Sequence, residues 1–118
     1  MESHPSYVVL SPLLLKYPRS GGSLFQAYND IVYVQRWNDV EALDLRGCQR
    51  GVIKGRKKDS ETPSFVIPCS LMETLSFSWF KDAFTELSRP AEIYLAVTSD
   101  DASLVYYKIS NDIVKPGL

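Results

Sequence analysis

The apolar residues of this chain switch between helical and strand spacing. Tyr7, Val8, Val9, Leu10, Leu13, Leu14 and Leu15 form a first run with Pro12 inside it. This predicts a short helix over Pro5 to Tyr17, started or interrupted by the proline. Arg19-Ser20-Gly21-Gly22 is a turn, and Ser23 is placed to cap a second helix running to about Trp37. Leu24, Phe25, Tyr28, Ile31, Val32 and Gln35 share one broad face of it. The period then shortens. Val40 to Leu45, Gln49 to Arg56 and Ser64 to Pro68 read as strands, with Arg46-Gly47 as a turn and Gly55 to Pro63 as a charged loop. A third helix begins between Ser70 and Ser78. Ser70-Leu71-Met72-Glu73 fits a capping box, and Ser76 or Ser78 fits a cap equally well. Its apolar stripe is Phe77, Phe80, Phe84 and Leu87, and it stops before Pro90, which disfavours helical geometry at Arg89. Strands from Glu92 to Thr98 and from Leu104 to Ile109 follow, joined by the turn Ser99-Asp100-Asp101-Ala102-Ser103.

This order predicts an α+β fold, with helices packed on a mixed β-sheet. The last two strands are apolar on both faces, so they expect cover on both sides, or a partner. Adjacent Tyr106 and Tyr107 face opposite sides of one strand. One of them therefore needs a second apolar surface, from this domain or from another protein.

A length of 118 residues predicts one domain, with residues 1–22 as an N-terminal helix and turn and residues 23–118 as the main body. Apolar residues make up 45% of the chain, enough to fill a single core, and 23% is charged, which argues against wholesale disorder. The net charge of −1 supplies no global field to draw nucleic acid, so RNA contact would need a local patch or a partner. Cys48 and Cys69, with one histidine in the chain, cannot make a zinc site of the usual ligand count. They read as reduced thiols of an intracellular protein. The start Met-Glu-Ser-His-Pro lacks a positive region, and no apolar run approaches the ~20 residues of a membrane span. A soluble protein of nucleus or cytosol is expected, with no cofactor and no membrane insertion.

Chemistry is poorly supplied. The single histidine is His4, in a terminus expected to fray. No Gly-x-Ser-x-Gly elbow, phosphate loop or metal-spaced carboxylate pair is present. A metal-free ribonuclease needs a base, an acid and a cation, and histidine is the usual acid or base near neutral pH. These gaps argue against a nuclease acting alone. The cations Arg46, Arg50, Lys54, Arg56, Lys57 and Lys58 are candidate RNA contacts. The same charges also read as a solvated edge and loop. No aromatics interleave with them as a single-strand groove requires, which favours the second reading. For Asp100-Asp101, an ordinary turn and a projecting acidic tip are both consistent with the residues.

Ile93-Tyr94-Leu95-Ala96-Val97, then Ser99-Asp100-Asp101, then Leu104-Val105-Tyr106-Tyr107-Lys108-Ile109, and finally Lys115-Pro116, form a pattern. It resembles the small structural subunits of the eukaryotic tRNA-splicing endonuclease, in their compact, fungal-like form. His4-Pro5-x-Tyr7, Val34-Gln35-x-Trp37-x-x-Val40-Glu41 and Phe65-Val66-Ile67-Pro68 match more weakly and in the expected order. The resemblance implies a place in a heterotetramer that excises introns from precursor tRNA, in which two subunits cut and two are structural. Its catalytic subunits use a tyrosine, a histidine and a lysine. The lysine position matches Pro90-Ala91 here, and the helix of Phe77 to Leu87 carries no histidine. The resemblance also implies that Leu104, Val105, Tyr106, Tyr107, Lys108 and Ile109, with Ile113 and Val114, form a strand that pairs with a catalytic subunit. It further implies that Ser99, Asp100 and Asp101 dock in a basic cleft of the other catalytic subunit.

The expected function is thus a non-catalytic assembly subunit, bound to the two catalytic subunits and the other structural one, and to precursor tRNA through the complex. The isolated chain is expected to form a homodimer through the same strand. The expected location is the nucleus or the cytosolic face of the mitochondrial outer membrane. The alternatives are a small RNA-binding domain using Arg46 to Lys58, and a stand-alone nuclease.

Overall fold

The computed structural model describes residues 4–73 and 75–111. Ile113, Val114, Lys115 and Pro116 lie outside the described residues. Helix α1 spans Pro5–Lys16 without a break. Pro5 takes a first-turn position, where its missing N–H has no intrahelical partner to lose. His4 does not fray: its Nδ1 accepts the Ser6 N–H at 3.1 Å as the N-cap. Its ring lies edge-on to Phe25 and Tyr33. Pro12 is tolerated because it and Val8, whose carbonyl it leaves unbonded, are both on the exposed face.

A single 3₁₀ turn, Pro18–Ser20, leads into α2, Gly21–Asn29. The helix thus starts before Ser23, which lies inside it with Oγ hydrogen-bonded to Thr98 Oγ1 at 2.8 Å. It also stops before Trp37. Residues Asp30–Val34 widen into a π-turn, and Arg36 then takes a left-handed φ of 55°. That local geometry, absent from the apolar spacing, turns Val34 out to solvent while Leu24, Ala27, Tyr28 and Ile31 stay buried.

Five strands form one sheet in the order β1-β2-β3-β4-β5: Asn38–Leu45, Arg50–Arg56, Ser64–Ser70, Glu92–Thr98 and Leu104–Ser110. All neighbours are antiparallel except β3 and β4. A parallel pair needs a crossover, and α3, Phe77–Glu86, lies within it. Ser76 caps α3, its Oγ accepting the Trp79 N–H at 3.1 Å. The Ser70–Glu73 box forms without a helix. Glu73 accepts the Ser70 N–H at 2.6 Å and Ser70 Oγ accepts the Met72 N–H at 3.2 Å, closing a turn at the end of β3. Ser88 and Arg89 end α3 in left-handed geometry, and the Arg89 N–H returns to the Phe84 carbonyl at 2.7 Å.

Strand alternation sorts the core onto two faces. Ile53, Val66 and Ala96 meet Leu10, Leu13, Leu14, Leu24 and Ile31 of the α1–α2 side. Val52, Ile67, Ile93 and Leu95 meet Ala83, Phe84 and Leu87 on the α3 side. Gly51 permits the close approach of the first layer, since a methyl there would sit 2.7 Å from Leu24 Cδ2.

Candidate functional site

The two edges of the sheet are built differently. On β1 the pairing with β2 is irregular between Asn38 and Glu41, Asp39 has a φ of 52°, and Asp39, Glu41 and Asp44 all carry charge. Bulges and charges are what block a strand from templating another. Strand β5 has neither a bulge nor a charge run. It pairs with β4 in unbroken register from Glu92↔Ser110 to Thr98↔Leu104, and among the described residues no strand pairs with its other edge.

Its side chains divide as alternation requires. Tyr106 turns inward, where its hydroxyl donates to Asp30 Oδ2 at 2.6 Å. Burial, and then that bond, push the Tyr106 phenol far above its ordinary pKa. Gln35 Nε2 donates to the same Asp30 oxygen at 2.7 Å, and Trp37 Nε1 donates to Gln35 Oε1 at 3.0 Å. The π-turn is thereby fastened to the inner face of β5. On the outer face Val105 and Tyr107 are 48% and 53% exposed. They continue an apolar groove of about 230 Å³ on the α3 side, lined by Leu71, Leu75, Phe80, Leu95 and Val97, with exposed Met72 nearby. Alternation required one of Tyr106 and Tyr107 to face outward, and the family resemblance named Val105 and Tyr107 among the residues of the pairing strand. Both missed Leu71 and Met72, which read as the start of a helix.

The turn at the tip of β4 and β5 splits the carboxylate pair. Asp101 Oδ1 accepts from Ser99 Oγ at 2.8 Å and from the Ser103 N–H at 3.0 Å. Hydrogen bonds from Ser103 and Ser99 lower its pKa to about 2. Ala102 is left-handed, and its carbonyl accepts from Gln26 Nε2 of α2 at 2.6 Å. Asp101 therefore organises the turn. Asp100 is exposed and makes no such bond among the described residues. A lowered folded pKa means that Asp101 supports the turn above its unfolded value of roughly 3.9, and that this support is lost as pH falls through about 2. In an NMR titration the Ser103 amide is thus expected to move with a midpoint near 2, and Asp101→Ala to speed its hydrogen exchange. A midpoint near 4 would remove the clamp.

The cations that run together in sequence are separated in space. Arg56 is held by Asp39 at 2.6 Å, and Lys54 lies 3.9 Å from Glu41 and over the Phe65 ring. Lys57 bonds Tyr94 Oη and lies over that ring, while Lys58 is exposed in the loop. Aromatics do meet these cations, but they come from β3, β4 and α3 rather than from between them. Arg50 is no surface residue, with a side chain only 9% exposed. It donates to the Pro68 carbonyl at 2.8 Å, pairs with Glu73 and stacks on Trp79. Burial works against the Glu73 carboxylate, but Arg50 and the Ser70 N–H outweigh it and leave its pKa below the ordinary value. Direct RNA contact by Arg50 is thus corrected to an internal role. Arg46 stands at the other end of β2 from Lys57, 3.8 Å from Asp44. Lys16 at 2.5 Å and Tyr17 at 2.6 Å also bond Asp44, and their hydrogen bonds lower its pKa.

Cys48 and Cys69 are free and buried, and burial pushes both thiols up to about 11. They are protonated at neutral pH and poor nucleophiles.

These features define a small α+β protein whose sheet, among the described residues, ends on the regular strand β5 beside an ordered acidic turn. A family model described as Sen15 protein matches residues 26–117, from within α2 to the C-terminal segment. The tRNA-splicing endonuclease subunit SEN15 of Eremothecium gossypii is 30% identical over 100 residues, covering 75% of this chain and 83% of that protein. The probable subunit sen15 of Schizosaccharomyces pombe is 29% identical over 118 residues, 80% of this chain and 81% of the relative. The human subunit Sen15 is 22% identical over 123 residues, 98% of this chain and 72% of the relative. The chain belongs to the Sen15 family.

Proposed function

We propose that this chain is a non-catalytic subunit of a tRNA-splicing endonuclease, which it helps to assemble through β5 and the acidic turn. The observation that carries this reading is β5, in unbroken register with β4 and with no strand on its other edge among the described residues, with Val105 and Tyr107 exposed on its outer face. A strand of that kind gains backbone hydrogen bonds and apolar cover from a partner strand. In the resemblance noted above, that partner belongs to a catalytic subunit, and the acidic tip enters a basic cleft of the other one. Asp100 is the carboxylate left to meet such a cleft, because Asp101 already serves the turn. Cutting falls to other subunits: His4, the sole histidine, caps α1, and Pro90-Ala91 stand where the catalytic pattern has its lysine.

The test uses purified chain and the co-expressed four-subunit complex. The isolated chain is expected to leave an intron-containing tRNA intact. The complex is expected to cut it. Asp100→Lys keeps the Asp101 clamp and places like charge in the docking cleft, at a cost of several kcal/mol. Native mass spectrometry should then show dimers in place of the tetramer. Cleavage by the isolated chain, or a tetramer unchanged by Asp100→Lys, would overturn the corresponding part of the reading.

A further inference from the structure

We propose that the cleft between the C-terminal end of α1 and the β1–β2 turn binds an RNA phosphodiester. This inference rests on the reading of the chain as part of an RNA-cutting complex and gives it a direct contact with the substrate. The cleft has a volume of about 360 Å³, and Lys16, Tyr17, Arg19, Gln49, Arg50 and Glu73 are among its walls. Arg46 stands at its rim with a side chain 82% exposed.

Charge favours an anion there. At its mouth Lys16, Arg19 and Arg46 stand against Asp44 and against Glu86, whose carboxylate lies beside Gly47 of the β1–β2 turn, while Arg50 and Glu73 neutralise each other at the base. Asp44 and Glu73 fix cations in place. Asp44 holds Lys16 and Tyr17 Oη, while Glu73 and the Pro68 carbonyl hold Arg50 at the base. Among the described residues Arg19 has no partner at all, and Arg46 has only the long contact to Asp44. Both are free to turn onto a ligand. Exposed guanidinium groups beside a fixed ammonium form an arrangement suited to phosphate oxygens.

Position keeps the cleft clear of the assembly edge. The sheet order puts the β1–β2 turn three strands from β5, roughly 15 Å at ~4.8 Å per strand. A partner seated on the β5 edge therefore leaves the cleft open to substrate. No interval in the sequence joins these groups, because Lys16 ends the first helix, Arg19 lies in the 3₁₀ turn after it and Arg46 comes from the β1–β2 turn.

Fluorescence anisotropy with the full chain and an intron-containing tRNA transcript tests the site. Both Arg19 and Arg46 are exposed, so Arg19→Glu with Arg46→Glu should leave the fold intact by circular dichroism. The double variant is expected to weaken binding about tenfold or more and to flatten the salt dependence by about two phosphate contacts. Lys57→Glu with Lys58→Glu, at the far end of β2, is expected to change binding less than threefold. No RNA binding by the wild-type chain, equal losses in both variants, or displacement of RNA by polyglutamate at equal charge concentration would overturn the proposal. Assembly is read separately by native mass spectrometry, so a failure here is distinguishable from a failure of the subunit reading.

Discussion

Replacing Glu73 with alanine is expected to destabilise the protein by about 3 kcal/mol, as for one member of a buried ion pair. Its partner Arg50 is 9% exposed at the side chain and Glu73 is 31% exposed, which places the loss at the lower end for such pairs. The removal leaves the guanidinium over Trp79 with the Pro68 carbonyl as its remaining acceptor, and it frees the Ser70 N–H as well. Two dependencies follow. Urea unfolding should show a midpoint lower by more than about 1 M, taking ~2 kcal/mol/M as the slope for a domain of this size. The double variant Arg50→Met with Glu73→Leu should recover most of the loss, because apolar replacement of both partners removes the desolvation cost along with the attraction. The pH dependence has a definite sign. The folded pKa of Glu73 is depressed, so its contribution is fully present above the unfolded value of roughly 4.3 and is lost as pH falls through the lower folded value. The wild type should therefore lose stability on acidification below about pH 4 more steeply than the Met/Leu double variant. Equal midpoints for wild type and Glu73→Ala would show that Arg50 is held by packing alone.

The same pair shows where the sequence stops being informative. Apolar spacing found each strand core and the Phe80, Phe84 and Leu87 positions of the α3 stripe, because burial on a fixed period leaves a local trace. Alternation also separated Tyr106 from Tyr107 correctly, since adjacent residues of a strand cannot share a face. What failed were assignments decided by partners distant in sequence. Ser70 and Glu73 have the spacing of a helix cap, yet Glu73 is taken by Arg50 from β2, and the helix waits for Ser76. Ser23 resembles an N-cap, but its hydroxyl goes to Thr98. Arg46 to Lys58 looked like one basic surface. A seven-residue strand places its ends far apart, and Arg50, Arg56 and Lys54 are each occupied. The excess charge at Lys16 and Arg19 was invisible for the converse reason, since only the fold brings α1 to the β1–β2 turn. The acidic turn lies between these cases. Its existence was legible in Ser99-Asp100-Asp101, but which carboxylate builds the turn depends on the Ser103 amide and could not be read from composition.

Tyr107→Lys is expected to convert the isolated chain from a dimer to a monomer and to abolish edge pairing with a catalytic subunit. Tyr107 lies on the outer face of β5, 53% exposed, opposite Leu95 of β4 and next to the groove of Leu75, Phe80 and Val97. A strand added to the free edge would lay its own side chains across this face, and in a homodimer the two-fold axis brings equivalent positions toward each other. Two ammonium groups introduced there must lose water and repel, at a cost of several kcal/mol. With 1.4 kcal/mol per tenfold, a loss of roughly 3 kcal/mol weakens association more than 100-fold. The fold itself should survive, because the inward Tyr106 keeps its bond to Asp30 and the β4–β5 register is unaffected by an outward side chain. Analytical ultracentrifugation on Tyr107→Lys and Val105→Lys reads the result. Glu41→Lys on β1 is the matched control: it sits on the bulged, charged edge and breaks only the exposed 3.9 Å pair with Lys54, an interaction worth at most ~1 kcal/mol. A monomer with either β5 variant and a dimer with Glu41→Lys establishes β5 as the joining edge. A dimer that persists in both β5 variants, or one lost with Glu41→Lys, would move the interface elsewhere on the molecule.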